Sequence, residues 1–310
     1  MKSLYSKDAV IPDVKRIVFF GDSITDEGTY IAFMDAYFLQ HWPEHAITLI
    51  NLGVSSETAS GLSEPDHPFP RPCVHDRLDR ALAESKPDWV VLCYGMNDGI
   101  YYPFSEERFA AYKQGIESVI QKIKKAGAKT ILMTPPPFDP ESYAAPTQPA
   151  GKGSYSFNAP FEHYEDVLKQ YAKWILSLEN KVDAVVSIHE PLLELWSQRR
   201  EHDAGYRTGD GIHPSAEGHW VIAKELLKTL FHVTLEQAPQ YVLQPEGSSL
   251  FDSVLEKHLL LSSAWKEHVG HTNPNKAVAL PLAEALERAE QITAEIRYKA
   301  KALQLNNDIL

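Results

Sequence analysis

Short apolar runs that alternate with helical patterns organise the first 232 residues of the chain. Five apolar runs have the length of buried strands, at about 17–20, 46–53, 88–94, 129–134 and 182–188. Between and after them, apolar positions recur with helical spacing at about 27–38, 74–85, 105–126, 161–178, 191–200 and 215–231. Strands that alternate with helices of this length predict βαβ units, right-handed crossovers and a parallel sheet covered on both faces.

The predicted fold class is α/β, a flavodoxin-like three-layer α/β/α sandwich with a five-stranded parallel sheet and a C-terminal, mostly helical extension. In this topology the first strand is central, and its carboxyl end lies near a switch point of the sheet. We predict one domain over residues 1–232 and the extension over residues 233–310. Residues 233–261 show no clear order of strands and helices.

Residues 281–305 have the pattern of a long amphipathic helix. Its predicted apolar face consists of Leu282, Leu286, Ala289, Ile292, Ile296, Ala300 and Leu303. This face is expected to pack on the α/β domain or on a second subunit, so a homo-oligomer through the C-terminal helix is one of two open arrangements.

The formal net charge of −12 argues against a nucleic-acid or anionic-membrane partner, either of which calls for a basic face. The sequence has no apolar segment long enough for a transmembrane helix, and Met1–Asp13 lacks the apolar region of a signal peptide. The two cysteines, Cys73 and Cys93, are expected to be free thiols in a reducing compartment. These features predict a cytoplasmic protein.

Three predicted strand ends bring small or polar residues to one crevice. Gly21 permits a sharp turn after the first strand, and Ser23 follows it at the start of a helix whose N-terminal end favours negative charge. Gly53 and Asn97 follow the second and third strands. A turn followed by a capped helix uses the same residue types as Gly21–Ser23, so that stretch alone does not establish a function.

Asp210 and His213 lie in a polar loop just before the last helix of the domain. At this spacing the carboxylate can fix the imidazole tautomer while the second ring nitrogen faces a nucleophile. A serine hydroxyl at its normal pKa is a poor nucleophile and needs such a base. An isolated Asp-x-x-His is more often only a turn before a helix.

Taken together, four short motifs resemble the signature blocks of the SGNH (GDSL-like) hydrolase family. They are Gly21-Asp22-Ser23, Gly53, Gly95-x-Asn97-Asp98 and Asp210-x-x-His213, in that order, within residues 15–232. The resemblance implies that Ser23 is the nucleophile, His213 the general base and then acid, and Asp210 the orienting carboxylate. It also implies an oxyanion hole of the Ser23 and Gly53 backbone N–H groups and the Asn97 amide, without metal or organic cofactor.

Other residues are weaker candidates. Asp22, Arg71 and Tyr94 are tentative substrate-binding residues, and structural roles are at least as consistent with each of them. An aromatic wall for a sugar or acyl group is predicted from Tyr94, Tyr101, Tyr102, Tyr155 and Phe157, with core packing as the alternative. Asp98 is expected to be structural. His268 and His271 are a poor metal site without a third ligand, and the segment 265–275 is expected to fold over the crevice or into a neighbour's.

The sequence therefore predicts a serine esterase that hydrolyses a small acyl ester through an acyl-enzyme. The first choice of substrate is an O-acetyl group on a sugar or oligosaccharide. A lysophospholipase or a thioesterase of the same family is the alternative enzyme. A non-catalytic glycan-binding module is the alternative from a different class, because a fold does not dictate a function.

Overall fold

One parallel sheet forms the centre of the molecule. The computed structural model describes residues 13–44, 47–235, 237–239, 242 and 249–307, with side chains up to residue 299. The strands are β1 (Arg16–Gly21), β2 (Thr48–Asn51), β3 (Trp89–Cys93), β4 (Lys129–Met133) and β5 (Ala184–Val186). All pairs are parallel, in the order β2-β1-β3-β4-β5. This order confirms the predicted flavodoxin-like topology.

Nine α-helices occur in the described part of the chain. They are α1 (Ser23–Glu27), α2 (Thr29–His41), α3 (Leu78–Ser85), α4 (Glu106–Lys125), α5 (Tyr164–Leu176), α6 (His189–His202), α7 (Ala216–Phe231), α8 (Ser249–Val269) and α9 (Leu282–Asn307). Two 3₁₀ turns cover Val74–Asp76 and Glu179–Lys181. The helix predicted over 74–85 is therefore a 3₁₀ turn followed by α3. The helix predicted from residue 27 is divided at Gly28, which has φ +69°.

The sheet separates two apolar cores. Alternate residues of β1 face opposite sides, so Ile17 and Phe19 join one core while Val18 and Phe20 join the other. Helices α2, α6 and α7 cover the first face, and α3, α4 and α5 cover the second. Cys93 is buried within β3 and Cys73 is partly exposed; both are free thiols.

Helix α2 is buried on all sides rather than amphipathic. Every residue from 30 to 39 is buried, because α7 and α8 cover the faces that the sheet leaves open. Phe33 shows the arrangement: its ring lies 4.9 Å from the ring of Phe251 in α8 and 6.0 Å from that of Trp220 in α7.

The C-terminal extension is helical and packs on the first core. The sequence did not reveal α8, which begins at Ser249 inside the segment that showed no clear order. Helix α9 agrees with the predicted one, but its buried face consists of Ala285, Ala289, Ile292 and Ile296. Leu286, predicted on that face, is 41% exposed. The predictions for Ala300 and Leu303 fall outside the described side chains.

No helix in the described ranges combines the length and the apolar character that crossing a membrane requires. The prediction for Met1–Asp13 concerns residues that lie, apart from Asp13, outside the described ranges. The domain boundary, the cytoplasmic location and the homo-oligomer stay predictions.

Candidate active site

Ser23 lies at the junction of the central strand and the first helix. It is the first residue of α1, and Asp22 caps the helix by accepting a hydrogen bond from the Ile24 N–H at 3.1 Å. Glycine is required at position 21, because a Cβ there would lie 2.2 Å from Thr25 Oγ1 and 2.8 Å from the Cys93 carbonyl oxygen. The turn therefore places Ser23, partly exposed, at the carboxyl end of β1.

His213 connects Ser23 to Asp210. Its Nε2 lies 2.7 Å from Ser23 Oγ, and its Nδ1 lies 2.8 Å from Asp210 Oδ2. The other carboxylate oxygen, Oδ1, accepts backbone hydrogen bonds from Ile212 at 2.9 Å and from His213 at 2.7 Å. These contacts fix the carboxylate in one orientation. With Nδ1 donating to Asp210, Nε2 is the nitrogen that can accept the Ser23 proton.

The charges around His213 favour a strong base. Burial favours the neutral imidazole, but the hydrogen bond and the negative charge of Asp210, together with Asp22 and Glu27, raise the pKa of His213 above its usual 6.5. For Asp210, burial would raise the pKa, yet the hydrogen bonds from His213 and Ile212 lower it to about 2. Asp210 is therefore a carboxylate wherever His213 is neutral.

Asp22, a tentative substrate-binding residue, lies beneath the nucleophile. It is 2% exposed, and burial raises its pKa to about 7, against the lowering effects of the Ile24 N–H and the charge of His213. Its oxygen is engaged in capping α1. Asp22 therefore fixes the turn that carries Ser23 and, when it is ionised, raises the pKa of His213.

Asn97 is buried in the loop that follows β3. Its Nδ2 donates to the Glu57 carbonyl at 3.2 Å, and its Oδ1 accepts from Tyr101 Oη at 3.2 Å. These two contacts orient the amide and leave one N–H of Nδ2 for a ligand. Asp98 holds the neighbouring loop, accepting from the N–H groups of Ala59 and Ser60 at 2.9 and 2.7 Å. Asp98 thus has the structural role expected.

Gly53 does not offer a free N–H group to the crevice, which corrects the sequence-based assignment. Its N–H donates to Asn51 Oδ1 at 2.8 Å, and a Cβ at position 53 would lie 2.3 Å from the Asp26 nitrogen. The glycine is thus required by close packing on α1. The spacing of residues could not show this, because the partner that takes the Gly53 N–H is the side chain of Asn51.

Ser56, three residues further on, is the residue that sequence reasoning missed. It has φ +65°, a left-handed conformation that is uncommon for a non-glycine residue, and its N–H makes no hydrogen bond within the described part of the chain. Arg71 Nη1 donates to its carbonyl at 3.3 Å. The next residue, Glu57, forms a buried ion pair with Arg77 at 2.6 Å. No local sequence pattern indicates this conformation, because the partners of Ser56 and Glu57 are Arg71 and Arg77, far along the chain.

Arg71 and Tyr94 are structural in this geometry rather than substrate-binding. Arg71 is 6% exposed and forms a double hydrogen bond with Glu64, at 2.6 Å for each pair of atoms. Tyr94 is 2% exposed and donates its hydroxyl to Glu57 Oε2 at 2.6 Å. Both side chains therefore hold the loop that follows β2 from its buried side.

The predicted aromatic wall does not form as one surface. Tyr94, Tyr101 and Tyr155 are buried, whereas Tyr102 and Phe157 are partly exposed. The ring of Phe157 lies 5.3 Å from that of His67, which in turn lies 4.6 Å from that of Phe69. These contacts join the long loop after β4 to the loop after β2.

The C-terminal extension contacts the segments that carry the site. His258 in α8 accepts from Asn51 Nδ2 at 3.1 Å, and the same amide donates to the Thr25 carbonyl at 2.6 Å. Burial lowers the pKa of His258 to about 4, so its ring is neutral and can accept. One and two turns further along the same face, Ser262 donates to the Asn51 carbonyl at 3.3 Å and Lys266 pairs with Asp26.

After α8, the chain continues along the loop that follows β2. Asn273 is 3% exposed and donates to the Ser55 carbonyl at 2.8 Å. The segment 265–275 therefore lies against its own domain, beside the loop that follows β2. His268 Nε2 pairs with Glu84 at 3.2 Å. Within the described residues, no group of three or more His, Cys, Asp or Glu side chains could hold a metal ion.

A serine, a histidine and a carboxylate in hydrogen-bonded series at the carboxyl end of a parallel sheet define the class of protein, a serine hydrolase. Residues 19–221 match the GDSL-like Lipase/Acylhydrolase family. The match covers more than half of the chain, which belongs to this family. No curated protein sequence matches it.

Solved structures share the α/β fold at low sequence identity. A catalytic mutant of Axe2, an acetylxylan esterase from Geobacillus stearothermophilus, is 21% identical, with a TM-score of 0.51 over 70% of this chain and 94% of the other. The acetyl xylan esterase AlAXEase is also 21% identical, with a TM-score of 0.50 over 68% and 97%. A gut microbial diltiazem-metabolizing enzyme is 22% identical, with a TM-score of 0.54, and the match spans 72% of this chain but 48% of that one.

Proposed function

We propose that this protein is a serine esterase that removes O-acetyl groups from a sugar or oligosaccharide through an acyl-enzyme. One observation carries the catalytic part of the proposal. His213 lies within hydrogen-bond distance of Ser23 Oγ on one side, 2.7 Å, and of Asp210 on the other, 2.8 Å. A base that is itself oriented by a carboxylate is what activates a serine hydroxyl.

In the proposed reaction, Ser23 Oγ attacks the ester carbonyl carbon while His213 Nε2 takes the hydroxyl proton. The carbonyl π electrons move onto oxygen and give a tetrahedral oxyanion. When the oxyanion collapses, the alcohol leaves with the proton from His213 and the acyl group stays on Ser23. Water then attacks the acyl-enzyme carbonyl with His213 as its base, and cleavage of the bond to Ser23 Oγ releases the acid and the free serine.

Three donors are available for the oxyanion. The Ser23 N–H is at the N-terminus of α1, where helical geometry leaves it without an intrahelical partner. Asn97 offers its second Nδ2 proton. In place of Gly53, whose N–H is engaged by Asn51, we assign the third position to the Ser56 N–H. Asn273 donates to the Ser55 carbonyl of that peptide, and Arg71 and Asn97 donate to the next two carbonyls, which supports a fixed donor.

The surroundings of Ser23 support a polar substrate. On the nucleophile helix, Asp26 accepts from Ser55 and pairs with Lys266, and the whole molecule carries a net charge of −12. A long acyl chain needs a continuous apolar groove. The loops after β2 and β4 instead contact each other through the partly exposed rings of His67 and Phe157. Two of the solved relatives are acetylxylan esterases, but at 21% identity they share only the fold.

Acetate release tests the proposal. The enzyme is incubated with O-acetylated mono- and oligosaccharides and, in parallel, with p-nitrophenyl esters of increasing chain length. We expect release from the acetylated sugars and falling kcat/KM beyond short acyl chains. Ser23→Ala is expected to lower turnover by roughly a millionfold, while Ser197→Ala, an exposed serine on α6, is not. A preference for long chains, or equal turnover by Ser23→Ala, would overturn the proposal.

A further inference from the structure

Asp210 and His213 lie in one tight turn of the chain, residues 208–215, which we call the Asp210 hairpin. At its base, the Thr208 carbonyl accepts a hydrogen bond from the Ser215 N–H at 2.7 Å. The tip, which contains Asp210 and His213, belongs to neither a strand nor a helix. Contacts with other segments therefore decide where the Asp210 carboxylate lies.

Asp139, in the loop that follows β4, contacts this hairpin on both sides of Asp210. Its Oδ2 accepts from Thr208 Oγ1 at 2.7 Å, two residues before Asp210. Its backbone N–H donates to the Gly211 carbonyl at 2.9 Å, one residue after Asp210. The approach is close, because a Cβ at position 211 would lie 2.6 Å from the Asp139 carbonyl oxygen. One residue thus holds the chain before and after the carboxylate that orients the base.

The Asp139 carboxylate is itself anchored by Arg200, near the end of α6. Arg200 Nη2 lies 2.6 Å from Asp139 Oδ2, the oxygen that also accepts from Thr208. Burial would raise the pKa of the Asp139 carboxyl, but the hydrogen bonds from Arg200, Ser142 and Thr208 lower it below its ordinary value. Asp139 is therefore ionised, and hydrogen bonds to an ionised acceptor are shorter and stronger than neutral ones.

Ser142 adds a second contact between the same loop and the hairpin. Its Oγ accepts from the Thr208 N–H at 3.0 Å. The loop after β4 thus binds both donors of Thr208, the hydroxyl through Asp139 and the N–H through Ser142. All three residues are buried, so these hydrogen bonds form where water competes little for them.

From this geometry we propose that Asp139 is a positioning residue for catalysis, acting through Thr208 and Gly211 on the orientation of Asp210. Its hydrogen bonds go to the hairpin and to Arg200, and it takes no part in the proton transfers. A displacement of about 1 Å in a catalytic group can cost about 100-fold in rate. This inference rests on the proposed function, since it assigns what holds the orienting carboxylate of that reaction.

Thr208→Val is the most specific test, because it removes the hydroxyl that Asp139 binds and changes no charge. We expect kcat on p-nitrophenyl acetate to fall by about 10- to 100-fold, with little change in KM. Thr130→Val is the matched control. Thr130, in β4, is buried, and its Oγ1 makes no hydrogen bond within the described part of the chain. The same chemical change there should keep the wild-type kcat.

Asp139→Asn tests the contact from the side of the loop and is expected to lower kcat by a similar factor. Its control is Glu141→Gln, an exposed carboxylate whose Oε2 lies 3.4 Å from Nε of the same Arg200. If Asp139 and Thr208 act through one contact, the double variant loses little more than either single variant. Losses that multiply fully would overturn the inference. Thr208→Val removes only a hydroxyl, so it carries the test if Asp139→Asn does not fold.

The pKa of His213 separates positioning from a general loss of stability. It is measured by NMR titration, and the ring signal that is missing from His213→Gln identifies the residue. Asp210 raises this pKa above 6.5, so displacing Asp210 lets it fall toward 6.5. The other carboxylates that raise it, Asp22 and Glu27, lie outside the hairpin and are kept in all these variants.

We expect a lower His213 pKa in Thr208→Val and in Asp139→Asn, and the wild-type pKa in both controls. An unchanged pKa in both variants would overturn the inference, whatever happens to kcat. The titration needs no substrate. If the wild type hydrolyses no ester and the pKa still falls in both variants, the proposed function is wrong and the positioning role stands. If Ser23→Ala abolishes esterase activity but both variants keep the wild-type pKa and kcat, only the positioning role is wrong.

Discussion

The Asp210 carboxylate has two separable effects on His213. Through Oδ2 it fixes the imidazole with Nε2 facing Ser23, and through its charge it stabilises the imidazolium that forms when the serine is deprotonated. Against the effect of burial, the hydrogen bonds from the His213 ring and from the His213 and Ile212 N–H groups keep it ionised, with a pKa of about 2. The base is therefore oriented and strengthened by one residue in the same loop.

This pairing predicts a specific pH dependence. His213 must be neutral to accept a proton, so activity is lost as pH falls through its pKa, which lies above 6.5. We expect the acidic limb of kcat/KM on p-nitrophenyl acetate at a pH above that of an isolated imidazole. Asp210→Asn removes the charge that raises this pKa, so its limb shifts to lower pH while kcat falls by roughly four orders of magnitude.

The control for that experiment is Asp203→Asn, an exposed carboxylate earlier in the same loop, whose profile should match the wild type. An unshifted acidic limb in Asp210→Asn would contradict the assignment of His213 as the titrating base.

Asn97 allows a second test at the scale of one residue. Removing an oxyanion donor affects the transition state more than the ground state, so Asn97→Ala is expected to lower kcat by about 100- to 1000-fold with a small change in KM. Tyr101→Phe, which removes only the hydroxyl that orients the Asn97 amide, is expected to have a smaller effect. The exposed Asn180→Ala serves as the control; a loss confined to KM in Asn97→Ala would refute the donor role.

At the scale of elements, α8 holds the nucleophile helix in place. His258 packs directly on Gly28, the residue that ends α1: a Cβ at position 28 would lie 2.2 Å from His258 Nε2 and 2.4 Å from Asn51 Nδ2. Asn51 connects the two elements, because its amide contacts both His258 and the Thr25 carbonyl. A helix outside the matched family region thus contributes to the position of Ser23.

Gly28→Ala tests this contact. Position 28 has φ +69°, and the added methyl group would overlap His258, so we expect a free energy of unfolding lower by about 2–4 kcal/mol. Gly151→Ala is the matched control, because Gly151 has φ +85° with nothing within 4 Å of an added Cβ. Urea titration of both variants measures the difference. Equal destabilisation would show that the backbone conformation alone matters.

Some elements were predictable from the sequence and others were not, for identifiable reasons. The alternation of strands and helices and the helical pattern over 105–126 depend on local patterns, and the structure confirms both. Helix α8 was missed because it buries His258 and Lys257 beside apolar side chains, each with a partner far away in the chain. Such pairing is invisible in a hydrophobic pattern.

The same limit applies to the candidate site. Ser23, His213 and Asp210 could be predicted because the motifs that contain them resemble the signature blocks of the SGNH family in the same order along the chain. The N–H donor after β2 could not, since Asn51 occupies the Gly53 N–H and leaves Ser56 in the left-handed conformation. The sequence left the roles of Tyr94 and Arg71 open because their buried partners, Glu57 and Glu64, come from a loop with no regular pattern.

At the scale of the whole molecule, the extension and the α/β domain share one apolar core. Phe251 and Val254 of α8, with Ile292 and Ile296 of α9, belong to the same buried cluster as the face of β1 that contains Phe19. Removing the extension would therefore expose α2, which is buried along residues 30–39.

A chain ending at residue 235 tests this arrangement. Losing a single buried phenylalanine costs about 3–5 kcal/mol, against a typical total stability of about 5–15 kcal/mol. We expect the shortened chain to lack a cooperative thermal transition and esterase activity. A shortened chain that keeps the Tm and the activity of the full protein would show that the domain does not need the extension for either.

The most direct test of the account is covalent labelling of the nucleophile. The protein is treated with a fluorophosphonate, digested, and the modified peptide is identified by mass spectrometry, in the wild type, in His213→Ala and in Ser23→Ala. The account predicts one adduct, on Ser23, with labelling strongly slowed in His213→Ala and absent in Ser23→Ala. No adduct on the wild type, or an adduct that persists in Ser23→Ala, would contradict it.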